Sequence, residues 1–236
     1  MNVCIRRLPK GESIAMPASH CPDCAYPLPW YENIPLLSFI CLRGHCSHCH
    51  KPISWRYPFV ELLTGLTFVL YQAAYGPTPK AGALVLFTCF LIVLTMIDWA
   101  EGILPDELTL GGLVVGLVAS GVVPTLHGTP LPFLGVLQGF LGAGVGLGIL
   151  WSIRALGTLA FKREAMGIGD LKLIAMIGAF LGWKGVVLTV FLSSLLGSIV
   201  GLPLKLRFKV EEIPYGPFLA LGAVLSSFFA ERMIRF

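Results

Sequence analysis

Five runs free of Asp, Glu, Lys and Arg fix what this chain can be: Leu62 to Pro79, Ala81 to Ile97, Leu108 to Ile153, Gly185 to Leu204 and Ile213 to Ala230. A helix needs roughly 20 mostly apolar residues to cross a bilayer. The third run has room for two passes around the Pro124 to Pro132 turn, and a shorter uncharged stretch, Leu173 to Trp183, adds one more. That makes about seven helices. A soluble domain carries about 25% charged residues, whereas this 236-residue chain has 13% against 56% hydrophobic. The expected class is an all-α polytopic membrane protein.

The stretch after Asp170 is short for a span. It crosses if Lys172 snorkels and Asp170 lies at or just inside the interface; a re-entrant helix is the alternative. Orientation follows from the basic residues. With the residues before Pro58 in the cytoplasm, seven passes place Arg6, Arg7, Lys10, Arg43, Lys51, Arg56, Arg154, Lys162, Arg163, Lys172, Lys205, Arg207 and Lys209 inside. Lys80, Lys184, Arg232 and Arg235 fall outside, so thirteen of the 17 Lys and Arg obey the positive-inside rule. The net charge of +4 therefore reflects topology and not nucleic-acid binding. On this count Asp98, ending the second span, and Asp170, opening the fifth, both face the cytoplasm.

Composition shifts near Pro58, from a polar Cys/His/Pro-rich segment to continuous apolar helices, giving domains of residues 1–57 and 58–236. The first holds "HCPDC" and "GHCSHCH": Cys21, Cys24, Cys46 and Cys49, two C-x2-C pairs separated by twenty-one residues. Two such knuckles suit a tetrahedral Cys4 structural zinc site, closed to catalysis. A disulfide reading competes poorly in a reducing cytoplasm. His20, His45, His48 and His50 crowd the knuckles as alternative ligands, and read mainly as exposed loop residues. Cys4, Cys41 and Cys89 are unpaired by spacing and are expected to be small buried residues.

Asp170 stands in "MGIGDLKLIAMIGAFLGW", where a helix N-cap is the simplest role. Asp98, in "LTMIDWAEGILPDELTL", can be a helix-end residue reaching headgroup water. Together they allow more. Two close carboxylates cannot both ionise cheaply and share a proton; the charged one can deprotonate a water while the neutral one donates to a substrate carbonyl. Gly167 and Gly169 would clear side chains from the approach and permit positive φ.

Six stretches in order, "CPDC", "PWYENIPLLSFICLRGHCSHC", "ISWRYPFVELLTG", "IDWAEGILPDELTL", "MGIGDLKLIAMIGAFLGW" and "IPYGPFLALG", resemble blocks of the bacterial type IV prepilin peptidases, G-x-G-D membrane aspartic proteases. The likeness runs from about Asn2 to about Gly222. It implies a multi-pass enzyme of the bacterial inner membrane. Such an enzyme cuts the basic leader from type IV prepilins and pseudopilins after a glycine at the cytoplasmic face. Many members also methylate the new amino terminus with S-adenosylmethionine, for which this sequence carries no nucleotide-binding fingerprint. By position in the matching blocks Asp98 and Asp170 are the catalytic pair, and Cys21, Cys24, Cys46 and Cys49 the cysteine cluster. Asp106, in "LPDEL", reads as supporting, an N-cap for the helix that follows.

Members usually carry a transmembrane helix ahead of the part matched by "NVCIRRLPKGES". That helix is missing here, and we expect the start to have been assigned too late. The "VVPTLHGTPLP" turn is longer than expected, on the face opposite the active one. Between Lys80 and Arg154 no basic residue occurs, yet Glu101, Asp106 and Glu107 follow Asp98. Ordinary solvated helix-end charges explain this acidic island; alternatively it attracts a Lys/Arg-rich leader. A proton-coupled transporter would instead place carboxylates near mid-helix, and an inactive scaffold would not need both aspartates.

Overall fold

A computed structural model describes residues 1–162, 166–208 and 214–233. Arg163, Lys209 and Arg235 of the orientation count lie outside the described residues. Among those described the chain is mostly helical, without strands beyond two isolated bridges. The α-helices are α1 (Asn2–Arg7), α2 (Leu37–Cys41), α3 (Arg56–Tyr75), α4 (Pro79–Glu101), α5 (Asp106–Val122), α6 (Pro132–Phe161), α7 (Ile168–Phe208) and α8 (Gly216–Met233). Among the described residues three stretches are long and apolar enough to cross a membrane: Pro79–Glu101, Pro132–Ala160 and Ile168–Gly201. Contacts group the chain into two units, Met1–Leu70 and Tyr71–Phe236.

Between α3 and α4 the helix ends are set by turn and cap chemistry and not by charge. The uncharged run from Leu62 to Pro79 is not one helix, because α3 starts earlier, at Arg56, and ends at Tyr75. Gly76 then takes φ +67°. Thr78 opens α4 by accepting a hydrogen bond from the Ala81 amide at 3.3 Å, and Pro79 fills the first helical position, where no N–H is needed.

Helix α7 is two helices. Gly182, with φ 68° and ψ 177°, breaks it, and the flanking arms run in opposite directions along α6. A Cβ on Gly142 would overlap the backbone of both Gly178 and Gly182, while one turn on, Gly146 faces both Ile174 and Val186. The first arm is thus antiparallel to α6 and the second parallel to it. This hairpin matches the expected separation of Leu173 to Trp183 from Gly185 to Leu204, and its cause is a single glycine whose φ few other residues accept.

Around the first arm lies the core of the second unit. Phe87 of α4 and Phe180 of α7 pack with ring centroids 4.8 Å apart, among the buried Leu84, Leu91, Ile174, Met176 and Ile177. Helix α5 runs beside this arm through small residues: side chains at Gly112 and Gly116 would strike Met176 and Phe180. Buried hydroxyls are satisfied in series. Thr88 donates to Tyr71 at 3.0 Å, Tyr71 donates to Ser227 at 2.8 Å, and Ser227 donates to the Val224 carbonyl at 2.6 Å. Such pairing is required where no water competes.

These contacts define two ends of the second unit. At one are Gly182, Lys184 and the turn carrying His127, with Lys80 close enough for its charge to act on His127. At the other are the end of α4 and the starts of α5, α7 and α8.

Candidate functional site

Asp98 occupies the last turn of α4, and Gly102, in the left-handed conformation with φ 66°, closes that helix by donating to the Asp98 carbonyl at 2.9 Å. The chain then turns through Leu104 into α5. Asp170 is the third residue of α7, so it is not the N-cap itself. The Gly167 amide faces its carboxylate, the reach-back contact of a third-position acid toward the residue before the helix. Leu104 packs on Gly169, where a Cβ would lie 3.0 Å from the Leu104 Cβ, and this joins the two helix ends.

Both carboxylates are withdrawn from solvent, with Asp98 7% and Asp170 9% exposed. They lie at one end of the unit, near enough for the charge of Asp98 to act on Asp170. The Gly216 amide faces Asp98. Among the described residues the Oδ2 atom of Asp98 is buried without a hydrogen-bond partner.

The other expected site residues separate into groups. Gly169 is needed for close approach to Leu104, whereas Gly167 has only Asp170 Oδ2 at 3.6 Å and the Gly169 amide at 3.9 Å near its missing Cβ; neither takes positive φ. Their value is space and an amide, not conformational freedom. Glu101 and Glu107 are exposed. Asp106 makes no capping bond to α5, whose N-cap is Pro105; it pairs with Lys172 at 2.6 Å.

Within the first unit the Sγ atoms of Cys21, Cys24, Cys46 and Cys49 all lie within 4.8 Å of one another, a cluster that could hold a metal ion. Each knuckle is built the same way, twenty-five residues apart. The amides of Cys21 and Cys46 donate to Tyr26 and Lys51 at 2.9 Å, those of Ala25 and His50 return to Cys21 and Cys46, and both Ala25 and His50 take φ 56°. Four thiolates about 2.3 Å from a tetrahedral ion stand about 3.8 Å apart, and Cys21 and Cys49 stand at 3.9 Å. The donors fit.

Amides of Cys49 and His48 pull the Cys46 thiol down to about 7. The Cys24 thiol, despite a hydrogen bond with the Tyr26 backbone, is pushed up to about 12 by burial and by Cys21, Cys49 and Cys46. Crowding of this kind is relieved by a cation. The histidines stay out of the cluster: His20 and His45 bond the Ala18 and Arg43 carbonyls at 3.0 and 2.7 Å, and His48 stacks on Tyr26 at 5.1 Å. Lys51 and Asp23 pair across the knuckles at 2.8 Å. The remaining cysteines depart from expectation, because Cys41 is exposed at the end of the short α2 and Cys4 and Cys89 are only partly buried.

Residues 1–75 match the bacterial peptidase A24 N-terminal domain, and residues 85–202 match the type IV leader peptidase family. A prepilin leader peptidase/N-methyltransferase of Aeromonas hydrophila is 37% identical over 230 residues, covering 94% of this chain and 75% of that one. This chain belongs to the type IV leader peptidase family. Proteins of the same name from Burkholderia pseudomallei and Pseudomonas aeruginosa are 39% and 38% identical, each over 94% of this chain and over 70% and 75% of their own. No solved structure matches. Two residues that touch the site were given no role in the sequence, although both fall in stretches that resemble the family: Leu104, in "IDWAEGILPDELTL", and Gly216, in "IPYGPFLALG".

Proposed function

We propose that this chain is a membrane aspartic endopeptidase that removes the basic leader of type IV prepilins or pseudopilins after a glycine and N-methylates the new terminus. The observation that carries the reading is the pair of buried carboxylates, Asp98 and Asp170, at the same end of one helical unit and within electrostatic reach of each other. Family membership supports the substrate class.

In this reading the pair holds one proton. The ionised carboxylate takes a proton from water as that water attacks the scissile carbonyl, and the protonated one donates to the developing oxyanion. Collapse of the tetrahedral species then passes a proton to the leaving amine and resets the pair. No metal is required at this end. Burial strengthens the electrostatic terms and keeps bulk water from competing.

The rest of the assignment follows from this end being cytoplasmic. Helices α3 to α8, with α7 counted as two arms, supply seven crossings of the bacterial inner membrane. Lys172 then lies inside while Lys80 and Lys184 lie outside, as the positive-inside rule asks. Residues 1–57 form the cytoplasmic segment, with zinc held by Cys21, Cys24, Cys46 and Cys49 as a closed structural site; residues 58–236 form the peptidase domain. Glu101, Asp106 and Glu107 draw in the leader. S-adenosylmethionine is the methyl donor such a transfer needs. Gly167 and Gly169 are already committed to a helix start and to Leu104, so they do not form a nucleotide loop.

The deciding experiment is cleavage of a purified prepilin by Asp98→Asn and Asp170→Asn in membranes, read by the mobility of the product. Each should lower kcat by about a thousandfold or more. Processing at near wild-type rate by either variant would refute the aspartyl mechanism.

A further inference from the structure

Helix α8 begins at Gly216 in a way that engages Asp98. Gly216 is buried, and its amide is a donor that the helix cannot use. The carbonyl of Tyr215 accepts from Phe218 and Leu219, each at 3.1 Å, and Pro217 brings no N–H. The Gly216 amide faces the Asp98 carboxylate instead, at the positive end of the helix dipole. A methyl group on Gly216 would overlap Asp98 Oδ2 and stand 3.1 Å from Cγ. The φ of Gly216 is not positive. Space against Asp98, not backbone conformation, is therefore what the missing side chain provides.

The preceding residue fixes this helix start to a third helix. The Ser193 hydroxyl, fully buried on the second arm of α7, donates to the Val190 carbonyl at 3.0 Å, which leaves its oxygen to accept from the Tyr215 hydroxyl at 2.8 Å. Ser194 stands 3.4 Å from the same hydroxyl. One dipeptide thus touches α4 through glycine and α7 through tyrosine.

We propose that Tyr215 and Gly216 are positioning residues for the peptidase reaction: the start of α8, held by Ser193, sets the orientation of the Asp98 carboxylate. This rests on the reading of Asp98 as a catalytic residue. The role needs no contact with substrate. Oδ2, buried without a hydrogen-bond partner among the described residues, is the oxygen that a side chain at Gly216 would strike.

Gly216→Ala tests it in the full-length protein reconstituted in lipid with a prepilin substrate. Alanine accepts the observed backbone and is the better helix former, so the strain falls on Asp98. The expected result is a hundredfold loss in kcat, KM within twofold of wild type, and a displaced pH limb of kcat/KM. Unchanged kcat overturns the proposal. So does a fall in kcat with the limb in place, which is what a smaller folded fraction gives. Should Gly216→Ala fail to fold, Tyr215→Phe decides: a three- to tenfold fall in kcat with a displaced limb supports positioning, and a wild-type profile overturns it. Asp98→Asn and Asp170→Asn run alongside. If Asp98→Asn still cleaves, the aspartyl reading falls and this role with it; if both are inactive while Gly216→Ala keeps its kcat, only the positioning role falls.

Discussion

Lys172, near the start of α7, forms a 2.6 Å ion pair with Asp106, the first residue of α5. The acidic island after Asp98 is therefore not three equivalent charges. All three are exposed, but Asp106 is partly neutralised and helps hold α5 beside the helix bearing Asp170.

A basic leader should feel the two glutamates more than Asp106. Each exposed charge pair contributes about 0.5 kcal/mol, so Glu101→Gln with Glu107→Gln should raise KM about fivefold at low salt, with kcat unchanged. The effect should shrink as ionic strength rises. Asp106→Asn should leave KM within twofold. A salt titration of initial rates with a basic-leader substrate checks this, and equal KM values for wild type and the double variant would rule out steering.

The cysteine cluster makes a separate prediction. One metal ion per chain should be found by elemental analysis, and Cys24→Ser or Cys46→Ser should lower that content severalfold. Because the Cys24 thiol sits at about 12 and the Cys46 thiol at about 7, loading near pH 7 must release protons, and affinity must fall as pH drops. Calorimetry in buffers of different ionisation enthalpy would measure the release. Zinc binding without proton release would contradict a four-thiolate site.

Much of this was legible in the sequence because the physics is local. Uncharged runs announce helices, and paired C-x2-C knuckles announce a cysteine cluster that could hold a metal ion. The two aspartates stood at helix ends by simple counting. What escaped is what depends on approach between distant segments. The Asp106 partner, the packing of Leu104 on Gly169 and the contact of Gly216 with Asp98 join residues 65 or more positions apart, and no periodicity encodes them. The end of α3 at Tyr75 escaped for another reason: uncharged residues on both sides of Gly76 and Thr78 hide a cap that only turn chemistry reveals.

The close approach of α6 and α7 gives a stability prediction. A Cβ on Gly178 would overlap the Gly142 backbone, and one on Gly142 would overlap the Gly178 carbonyl, so neither side has a flexible group that can yield. Small residues at such a crossing let backbones touch in a membrane. Gly178→Ala should cost about 2 to 3 kcal/mol and lower the thermal midpoint by several degrees. Gly144→Ala, on α6 but facing open space, should leave it unchanged or slightly higher. Equal midpoints for the two variants in the same detergent would contradict the contact.

His127 supplies a pH dependence at the far end. Its Nε2 lies 2.7 Å from the Ser120 hydroxyl oxygen, whose proton goes to the Ala179 carbonyl at 2.7 Å or the Gly116 carbonyl at 2.9 Å. Nε2 must then be the donor, which fixes the neutral tautomer. Burial, helped by the charge of Lys80, pulls His127 from 6.5 down to about 4. The unfolded chain binds the proton more readily, so stability from this histidine is complete above about pH 6.5 and is lost as pH falls from 6.5 to 4. The contribution is at most about 3 kcal/mol. Thermal midpoints between pH 7 and 4 should therefore fall more steeply for wild type than for His127→Gln, which keeps a donor to Ser120 but no titrating group. Parallel curves would show that His127 protonates as easily in the folded protein as in the unfolded one.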